Sequence, residues 1–261
     1  MSNIVVYTAI FNNYDWLKDP YIVSDGVDYV CFTDSNQLKS DVWKIVVVKE
    51  ENLTPSLLNR KIKLLYPYTF LKDYDYSLYV DGSVMIKDNT YVFLQKYLKN
   101  EPLLMNFKHP DNDCIFREIE NCIKEGKGNA EKLKEQYDVY KKSGMPEHFG
   151  LSDNKIILRK NCEQGSQLMT EWFEHVCNYS GRDQVCLSYV LWEHNLQYCF
   201  FEEVIEKNLY FETWPHNVDP WHIRAWRRMK WFSERKKIGW RLFRFLNNKV
   251  KPLYLKLRGI H

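Results

Sequence analysis

Polar side chains follow three apolar segments of strand length near the start of the chain. Thr8 follows IVVY, Asp34 follows CFT and Asp81 follows SLYV. In an open α/β sheet, ligands bind beyond the carboxyl ends of the strands, so these side chains indicate a binding crevice. For Asp34, in TDSN, an ordinary turn is an equally good explanation. Asp81 is the stronger candidate because Asp-Gly interrupts apolar sequence here instead of ending it.

A carboxylate at the end of a buried strand suits Mg²⁺ or Mn²⁺. Such hard cations prefer oxygen ligands and usually share them with substrate phosphates. A bound ion would neutralise charge on a leaving diphosphate. Position 83 is Ser, so the second acid of an Asp-x-Asp pair is missing, although a hydroxyl can still reach an ion through water.

Basic residues cluster in the predicted helix that contains NRKIKLL. Arg60, Lys61 and Lys63 lie on its first half. Such cations can reach phosphate oxygens through charge-assisted hydrogen bonds. A solvated helix face is an equally good explanation.

Two further segments carry groups that can do chemistry. In SGRDQVCLSYVLW, Arg182 and Asp183 open a predicted helix after Gly181. Asp183 can be a base or a hydrogen-bond acceptor for a substrate hydroxyl, but spacing alone favours an acid that complements the helix dipole. His216, in ETWPHNVDPWH, follows the predicted compact domain and is a candidate to fold back over a bound diphosphate. A satisfied surface histidine is the alternative.

The composition predicts a folded protein in a reducing compartment. The 261 residues are 45% hydrophobic and 16% aromatic, which excludes a disordered chain. The seven cysteines are scattered and form no Cys-x-x-Cys pair, which argues against a disulfide framework and a structural zinc site. The N-terminal segment has no basic leader and no window reaches the length of a spanning helix, so we expect a cytoplasmic protein.

Alternating strands and helices must position these side chains. The predicted strands are 3–10, 28–34, 43–49, 76–82, 102–107, 154–160 and 198–204. The predicted helices are 54–71, 90–100, two segments within 113–143, 163–179 and a run to about 192. Thr54 is the predicted N-cap of the first helix, and Pro67 is expected to bend or end it. The alternation predicts an α/β domain with a mostly parallel sheet over 1–215, followed by a tail over 216–261.

The tail has a strong basic bias. From Trp221 to His261 there are thirteen Lys or Arg and one Glu, a charge of +12, so the first 220 residues carry 3 − 12 = −9. On a helix, Ile238 and Leu242 share an apolar face beside Lys237 and Arg241, which is typical of binding to an anionic membrane surface. Nucleic acid is a less favoured partner because the acidic body would repel a polyanion. A helix packed on the protein's own core would not account for so many cations.

The order of several blocks resembles a known family over about residues 4–205. The blocks include VVYTAIFNNYD, CFTDS, NRKIKLLYPYTF, YSLYVDGSVMI, HPDNDCIFREIENCIKEGKGN, EQYDVYKKSGMPEHFGLSDNKIILRKN and GRDQVCLSYVLW. They resemble a glycosyltransferase-like family, formerly a domain of unknown function, which has plant members in pollen turgor and seed mucilage and many bacterial relatives. The resemblance implies a GT-A-type fold with a Rossmann-like sheet that binds a nucleotide-diphospho-sugar, usually with Mn²⁺ or Mg²⁺.

The resemblance also implies residue roles. Asp81 matches the strand-end acid that stands where GT-A enzymes keep the metal-binding Asp-x-Asp. His216 is a second candidate metal ligand, on the sequence alone and outside the resemblance. Arg60 and Lys63 match the family's basic helix positions, which together with Thr8 and Asp34 form the expected donor site. Asp183 and Arg182 are the catalytic candidates in the family's RDQ. Acceptor contacts are expected from His109 in HP, His148 in PEHFGL and Gln184.

These expectations describe a glycosyltransferase that uses a nucleotide-sugar donor and a glycan or lipid-linked acceptor. We expect it to serve bacterial surface polysaccharide or lipopolysaccharide synthesis at the inner face of the cell membrane. A lipid amide hydrolase is one alternative, because ceramidase activity has been attributed within the family. Against it, the sequence contains neither Gly-x-Ser-x-Gly nor His-Glu-x-x-His. A non-catalytic membrane or nucleic-acid adaptor is another alternative.

Overall fold

The computed structural model describes residues 2–225 of the chain. Residues up to Thr213 form one compact unit, and a second unit begins at Trp214. The elements in chain order are β1 Ile4–Ile10, β2 Val27–Thr33, β3 Lys44–Val47, α1 Pro55–Thr69, β4 Tyr76–Val80, β5 Val84–Ile86, α2 Thr90–Leu98, β6 Leu104–Lys108, α3 Ile115–Lys124, α4 Ala130–Lys142, β7 Ser152–Lys160, α5 Glu163–Asn178, α6 Asp183–Glu193 and β8 Phe211–Thr213.

Six strands form one sheet in the order β3-β2-β1-β4-β7-β6. The pairs β2–β3, β1–β2 and β1–β4 are parallel, whereas β7 is antiparallel to both β4 and β6. β6 therefore runs in the same direction as β4. The predicted mostly parallel α/β fold is confirmed. We call the side where β1, β2, β4 and β6 end, and where β7 begins, the carboxyl edge.

Apolar side chains cover both faces of this sheet. On one face, Val6 and Leu78 belong to a core that α2 joins through Phe93 and Leu94. On the other, Val5 and Tyr79 pack with residues of α1, α5 and α6. Strands buried on both faces read as continuous apolar runs rather than as an alternation, which explains why the sheet is visible in the sequence.

Helix α1 begins as predicted but continues through its proline. The Thr54 hydroxyl accepts a hydrogen bond from the Leu57 N–H, and the helix extends to Thr69, past Pro67. Pro67 therefore does not end the helix, and the alternative, that it bends the helix, stays a prediction. A proline has no N–H for the carbonyl four residues earlier, which here is that of Lys63. Two other groups donate to that buried oxygen instead. Arg159 Nη1 donates to it at 2.6 Å, and the Tyr7 hydroxyl donates to it at 2.5 Å.

The segment 198–204 does not form the predicted strand. Its Phe200 pairs with Asn106 as an isolated bridge only, and Phe201 is buried in the core. The aromatic residues that suggested a strand serve packing instead. Two short strands were missed, β5 and β8, which pair antiparallel with Val84 opposite Thr213. Three residues are too few for a visible period.

Predictions for the tail mostly concern residues beyond 225. The amphipathic helix face around Ile238 and Leu242 lies outside the described residues. Within residues 2–225, every helix is too short or too polar to cross a membrane.

Candidate active site

Asp81 follows β4 and opens a tight turn at the carboxyl edge. The Val84 N–H donates to the Asp81 carbonyl at 2.8 Å. Oδ1 of Asp81 accepts hydrogen bonds from the Ser83 N–H at 3.0 Å and from the Ser83 hydroxyl at 2.6 Å. Ser83 thus orients the carboxylate, although it is not the second acid of an Asp-x-Asp pair.

Asp15 supplies a second carboxylate from the segment after β1. One carboxylate oxygen of Asp15 lies within 4.8 Å of one of Asp81. A Cβ placed on Gly82 would lie 2.8 Å from the Asp15 Cβ and 2.9 Å from its Oδ2. Position 82 is therefore glycine because Asp15 approaches closely. The backbone does not require glycine there, since the φ of Gly82 is not in the left-handed region. Asp15 was not predicted, because nothing in NNYDW marks it as a partner of the distant VDG.

A lysine lies beside this acidic pair. Lys18 Nζ donates to the Gly82 carbonyl at 2.6 Å and to the Trp16 carbonyl at 3.1 Å. Burial lowers the pKa of Lys18, while the negative charges of Asp15 and Asp81 act in the opposite direction. The two carboxylates fit a hard divalent cation that takes its other ligands from water and phosphate. Lys18 places one positive charge in the same neighbourhood.

Asp183 forms a buried ion pair at the start of α6. Lys63 Nζ donates to Asp183 Oδ2, and Arg60 Nη2 lies 4.0 Å from Oδ1. The Trp172 indole N–H donates to the Asp183 carbonyl at 2.8 Å and fixes the helix start. Burial opposes ionisation of Asp183, but the charges of Lys63 and Arg60 outweigh it and hold its pKa below the usual range. A carboxylate in this state is a weak base.

Arg60 connects this ion pair to the acidic turn. Arg60 and Lys63 are three positions apart on α1 and therefore lie on one helix face. Asp183 and Asp81 both raise the pKa of Arg60 against the opposing effect of burial. The Arg60 side chain is 25% exposed, whereas that of Lys63 is 7% exposed, so Arg60 is the cation that a ligand can touch directly.

Arg60 is one of the residues that line a cleft of about 260 Å³. Thr54 and Ser56 line it from α1, and Tyr179 and Ser180 line it from the turn after α5. Hydroxyl groups, a guanidinium and an aromatic ring are groups that bind sugars, and the volume is near the lower end for ligand sites. By contrast, the cavity beside Thr8 and Asp81 measures about 10 Å³, which is room for one water.

The other donor candidates are less exposed or are bonded locally. Thr8 is 3% exposed, lies within β1 rather than at its end as predicted, and lines the one-water cavity. Asp34 Oδ2 accepts a hydrogen bond at 2.9 Å from the Asn12 N–H, in the turn that follows β1. Contacts of either residue with a donor stay predictions.

The acceptor candidates gather at the far half of the carboxyl edge. Gln184 Nε2 donates to the Ser152 carbonyl at the start of β7, at 2.9 Å. His109 follows β6, and His148 precedes β7 with its Nδ1 at 2.7 Å from Asp113 Oδ1. Asp113 was not predicted from the sequence. The structure therefore brings His109, His148 and Gln184 to one region, while their contact with an acceptor stays a prediction.

Arg182 and His216 are the two remaining candidates. Burial raises the pKa of the Cys122 thiol on α3, and the positive charge of Arg182 acts in the opposite direction. His216 belongs to the second compact unit, so its proposed metal contact stays a prediction.

Comparison with known proteins gives the family. A profile of the family described as TOD1/MUCI70, glycosyltransferase-like domain, matches residues 1–214. The chain belongs to this family. It is similar to the probable hexosyltransferase MUCI70 of Arabidopsis thaliana, with 25% identity over an alignment of 215 positions that covers 72% of this chain. The match covers 37% of that relative, so the chain spans a little over a third of its length.

The TOD1/MUCI70 match confirms the resemblance inferred from the sequence blocks. It includes the whole six-stranded sheet and the small β5–β8 sheet. The acidic pair Asp15–Asp81 and the ion pair Lys63–Asp183 both lie within it. The glycosyltransferase-like character of the domain therefore applies to the part of the chain that carries these charged groups.

Proposed function

We propose that this protein transfers a hexose from a nucleoside-diphosphate sugar to a glycan or lipid-linked acceptor. The observation that carries the proposal is that Arg60 lies 4.0 Å from Asp183 of the buried Lys63–Asp183 pair, while the charge of Asp81 also acts on Arg60 and raises its pKa. Opposite charges held this close at the carboxyl edge of an α/β sheet suit a diphosphate and its counter-ion. The similarity to a probable hexosyltransferase supports the choice of sugar class.

Each charged group has a role in the proposed transfer. Arg60 contacts the diphosphate. Lys63 stabilises the negative charge that develops on the diphosphate as the nucleoside diphosphate leaves. Asp183 holds Lys63 in place and in its charged form. Asp81 and Asp15 would hold Mn²⁺ or Mg²⁺, an ion that would neutralise diphosphate charge when bound. Asp34 remains the candidate for the nucleoside.

The proposal includes a place of action. The +12 charge of the last forty-one residues favours the anionic inner face of a cell membrane, where a lipid-linked acceptor would be available. Synthesis of bacterial surface polysaccharide or lipopolysaccharide needs such a combination of a water-soluble donor and a membrane-bound acceptor. The −9 charge of the first 220 residues disfavours nucleic acid as the partner.

A thermal-shift panel tests the donor site. The wild type is measured with UDP-glucose, UDP-galactose, UDP-N-acetylglucosamine and GDP-mannose, each with and without Mn²⁺. We expect one donor class to raise Tm in the presence of Mn²⁺, and Asp81→Ala to abolish this rise. Asp138→Ala, which changes an exposed acid on α4, serves as the control and should respond like the wild type.

Two outcomes would count against the proposal. Equal stabilisation of wild type and Asp81→Ala would remove Asp81 from the donor site. Release of fatty acid from ceramide, with no response to any sugar nucleotide, would instead support the lipid amide hydrolase.

A further inference from the structure

Two loop segments at the carboxyl edge are fastened to each other. The His109 N–H donates to the Leu151 carbonyl at 2.9 Å, and the Gly150 N–H donates to the Asp113 carbonyl at 3.0 Å. One segment follows β6 and the other precedes β7, so the sheet fixes both. Each segment carries one histidine, His109 or His148.

The contacts of His109 define its tautomer. Its Nδ1 accepts hydrogen bonds from the backbone N–H of Asp111 at 3.3 Å and of Asn112 at 3.1 Å. A nitrogen that accepts hydrogen bonds carries no proton, so in the neutral ring the proton is on Nε2. His109 therefore presents an N–H donor.

The contacts of His148 define the opposite tautomer. Its Nδ1 lies 2.7 Å from Asp113 Oδ1, and this hydrogen bond lowers the pKa of Asp113, which is thus an ionised acceptor. The proton of the neutral ring is then on Nδ1, and Nε2 presents a lone pair. A base held by a carboxylate in this way is typical of catalytic dyads. His148 also adopts φ of 60°, a conformation that costs energy for a residue other than glycine and is common at functional sites.

Helix α6 ties these loops to the donor site. Asp183, which pairs with Lys63, begins the helix, and Gln184 Nε2 donates to the Ser152 carbonyl. One turn later, the Ser188 hydroxyl donates to the Gly150 carbonyl at 3.0 Å. The helix that holds the cations proposed for the diphosphate therefore also fixes the loop of His148.

We propose that His148, oriented by Asp113, is the general base that removes the proton from an acceptor hydroxyl, and that His109 donates a hydrogen bond to the same oxygen. A hydroxyl has one donor and two acceptor sites, which match one lone pair and one N–H. This inference rests on the proposed function. Asp183 is unsuited to the task because its ion pair with Lys63 holds its pKa below the usual range, which makes it a weak base.

The proposed step is a single displacement. The acceptor oxygen forms a bond to the anomeric carbon as His148 Nε2 takes its proton. The bond from that carbon to the diphosphate oxygen breaks and its electron pair leaves with the nucleoside diphosphate. The protonated His148 then releases its proton to water. One displacement inverts the configuration at the anomeric carbon, so an α-linked donor gives a β-linked product.

Nitrogen–proton NMR of the full chain tests the tautomers without any ligand. We expect the proton on Nε2 of His109 and on Nδ1 of His148, with each signal assigned by its loss in the corresponding Asn variant. A proton on Nε2 of His148 would overturn the proposal. This result does not depend on whether a donor has been found.

Activity tests the base itself. His148→Gly suits the positive φ and should fold, and His194→Gly is the matched control because His194 forms an exposed pair with Glu171 at 2.6 Å. Nucleoside diphosphate release is measured with the sugar-nucleotide panel and octyl β-glucoside or octyl β-galactoside as acceptor. We expect transfer by His148→Gly to fall by about 10²-fold or more, with partial rescue by added imidazole and an unchanged donor-induced rise in Tm.

The outcomes separate the two proposals. Transfer by His148→Gly at the wild-type rate, or a product with retained anomeric configuration, would overturn the role of His148 and leave the transferase intact. A wild type that neither responds to any donor nor releases nucleoside diphosphate would count against the proposed function instead.

Discussion

At the scale of single residues, the acidic turn depends on space that glycine leaves open. Gly82→Ala would place a methyl group 2.8 Å from the Asp15 Cβ, so Asp15 must move away from Asp81. We expect the variant to fold and to lose most of the Mn²⁺-dependent part of the donor-induced rise in Tm. Thermal shift with and without Mn²⁺ measures this part.

Gly165→Ala is the matched control for this prediction. A Cβ at Gly165 would lie 2.7 Å from the Tyr68 hydroxyl and 2.8 Å from the Lys160 carbonyl, a similar clash away from the acids. It should lower Tm and leave the Mn²⁺ response unchanged. An undiminished Mn²⁺ response in Gly82→Ala would show that Asp15 has no part in metal binding.

The Lys63–Asp183 pair makes a second residue-scale prediction. Asp183→Asn leaves the Lys63 ammonium buried without its counter-charge, which should lower the free energy of unfolding at pH 7 by about 3 kcal/mol. Because folding lowers the pKa of Asp183, the stabilisation is complete above the unfolded carboxyl pKa of about 3.9 and is lost as pH falls toward the folded value. Urea unfolding at several pH values should show the gap between wild type and variant narrowing below about pH 4.

An exposed acid provides the comparison for that experiment. Asp25→Asn should change the free energy of unfolding by less than about 0.5 kcal/mol. If Asp183→Asn behaved in the same way at pH 7, Asp183 and Lys63 would not be coupled in solution.

Four charged residues were candidates from the sequence: Asp81, Arg60, Lys63 and Asp183. The structure places Arg60 and Lys63 beside Asp183, and the charge of Asp81 also acts on Arg60. Asp15, Lys18 and Asp113 were not predicted. Those three come from loops, where no period marks a residue, and their partners are far away in the chain. Pairing across a sheet edge is a property of the fold and is not encoded in local spacing.

At the scale of elements, helix α1 carries both proposed phosphate cations and is hydrogen-bonded to the sheet through the Lys63 carbonyl. Pro67 leaves the Lys63 carbonyl without its helical partner, and Arg159 of β7 and Tyr7 of β1 donate to it instead. Arg159 also donates to the Tyr7 hydroxyl. These hydrogen bonds hold the backbone of Lys63 against the sheet and so position its side chain for the ion pair with Asp183.

A double-mutant cycle tests this fastening. Arg159→Met should destabilise the protein, by about 1–3 kcal/mol, because the buried carbonyl loses a donor. Pro67→Ala supplies an N–H to the same carbonyl. We therefore expect the double variant to be more stable than the sum of the single effects by about 1 kcal/mol, measured by urea unfolding. Additivity within about 0.5 kcal/mol would show that Arg159 does not replace the missing helical hydrogen bond.

The elements themselves were largely visible in the sequence. Long periodic helices such as α5 and β-branched strands such as β1 have patterns set by local packing. The error at 198–204 arose because Phe200 and Phe201 pack without forming a ladder. The contact of Arg159 with the Lys63 carbonyl could not be predicted, because no local pattern near Pro67 reveals it.

At the scale of the whole molecule, the uneven charge predicts salt-sensitive membrane binding by the tail. Changing Lys236, Lys237 and Arg241 to Gln in the full chain removes three positive charges. Binding to phosphatidylglycerol vesicles should weaken by about 3 kcal/mol, on the order of 10²-fold, at low salt. Vesicle co-sedimentation measures the change, and phosphatidylcholine vesicles should bind neither protein.

The same charge change elsewhere is the control. Lys39, Lys72 and Lys99 are exposed in the body, and their change to Gln should leave vesicle binding nearly unaltered. Equal loss in both triple variants would mean that net charge, rather than the tail, determines binding.

The pairing of β5 with β8 has a consequence for the order of folding during synthesis. β5 follows the Asp81 turn directly, yet its partner strand ends at Thr213, so the turn gains its flanking ladder only after most of the domain has been made. At a synthesis rate of about 5–20 residues per second, the delay is roughly 6–25 s. The nascent chain can assemble β1 to β4 early. The β5–β8 pair beside the acidic turn can form only after Thr213 has been synthesised and has left the ribosome.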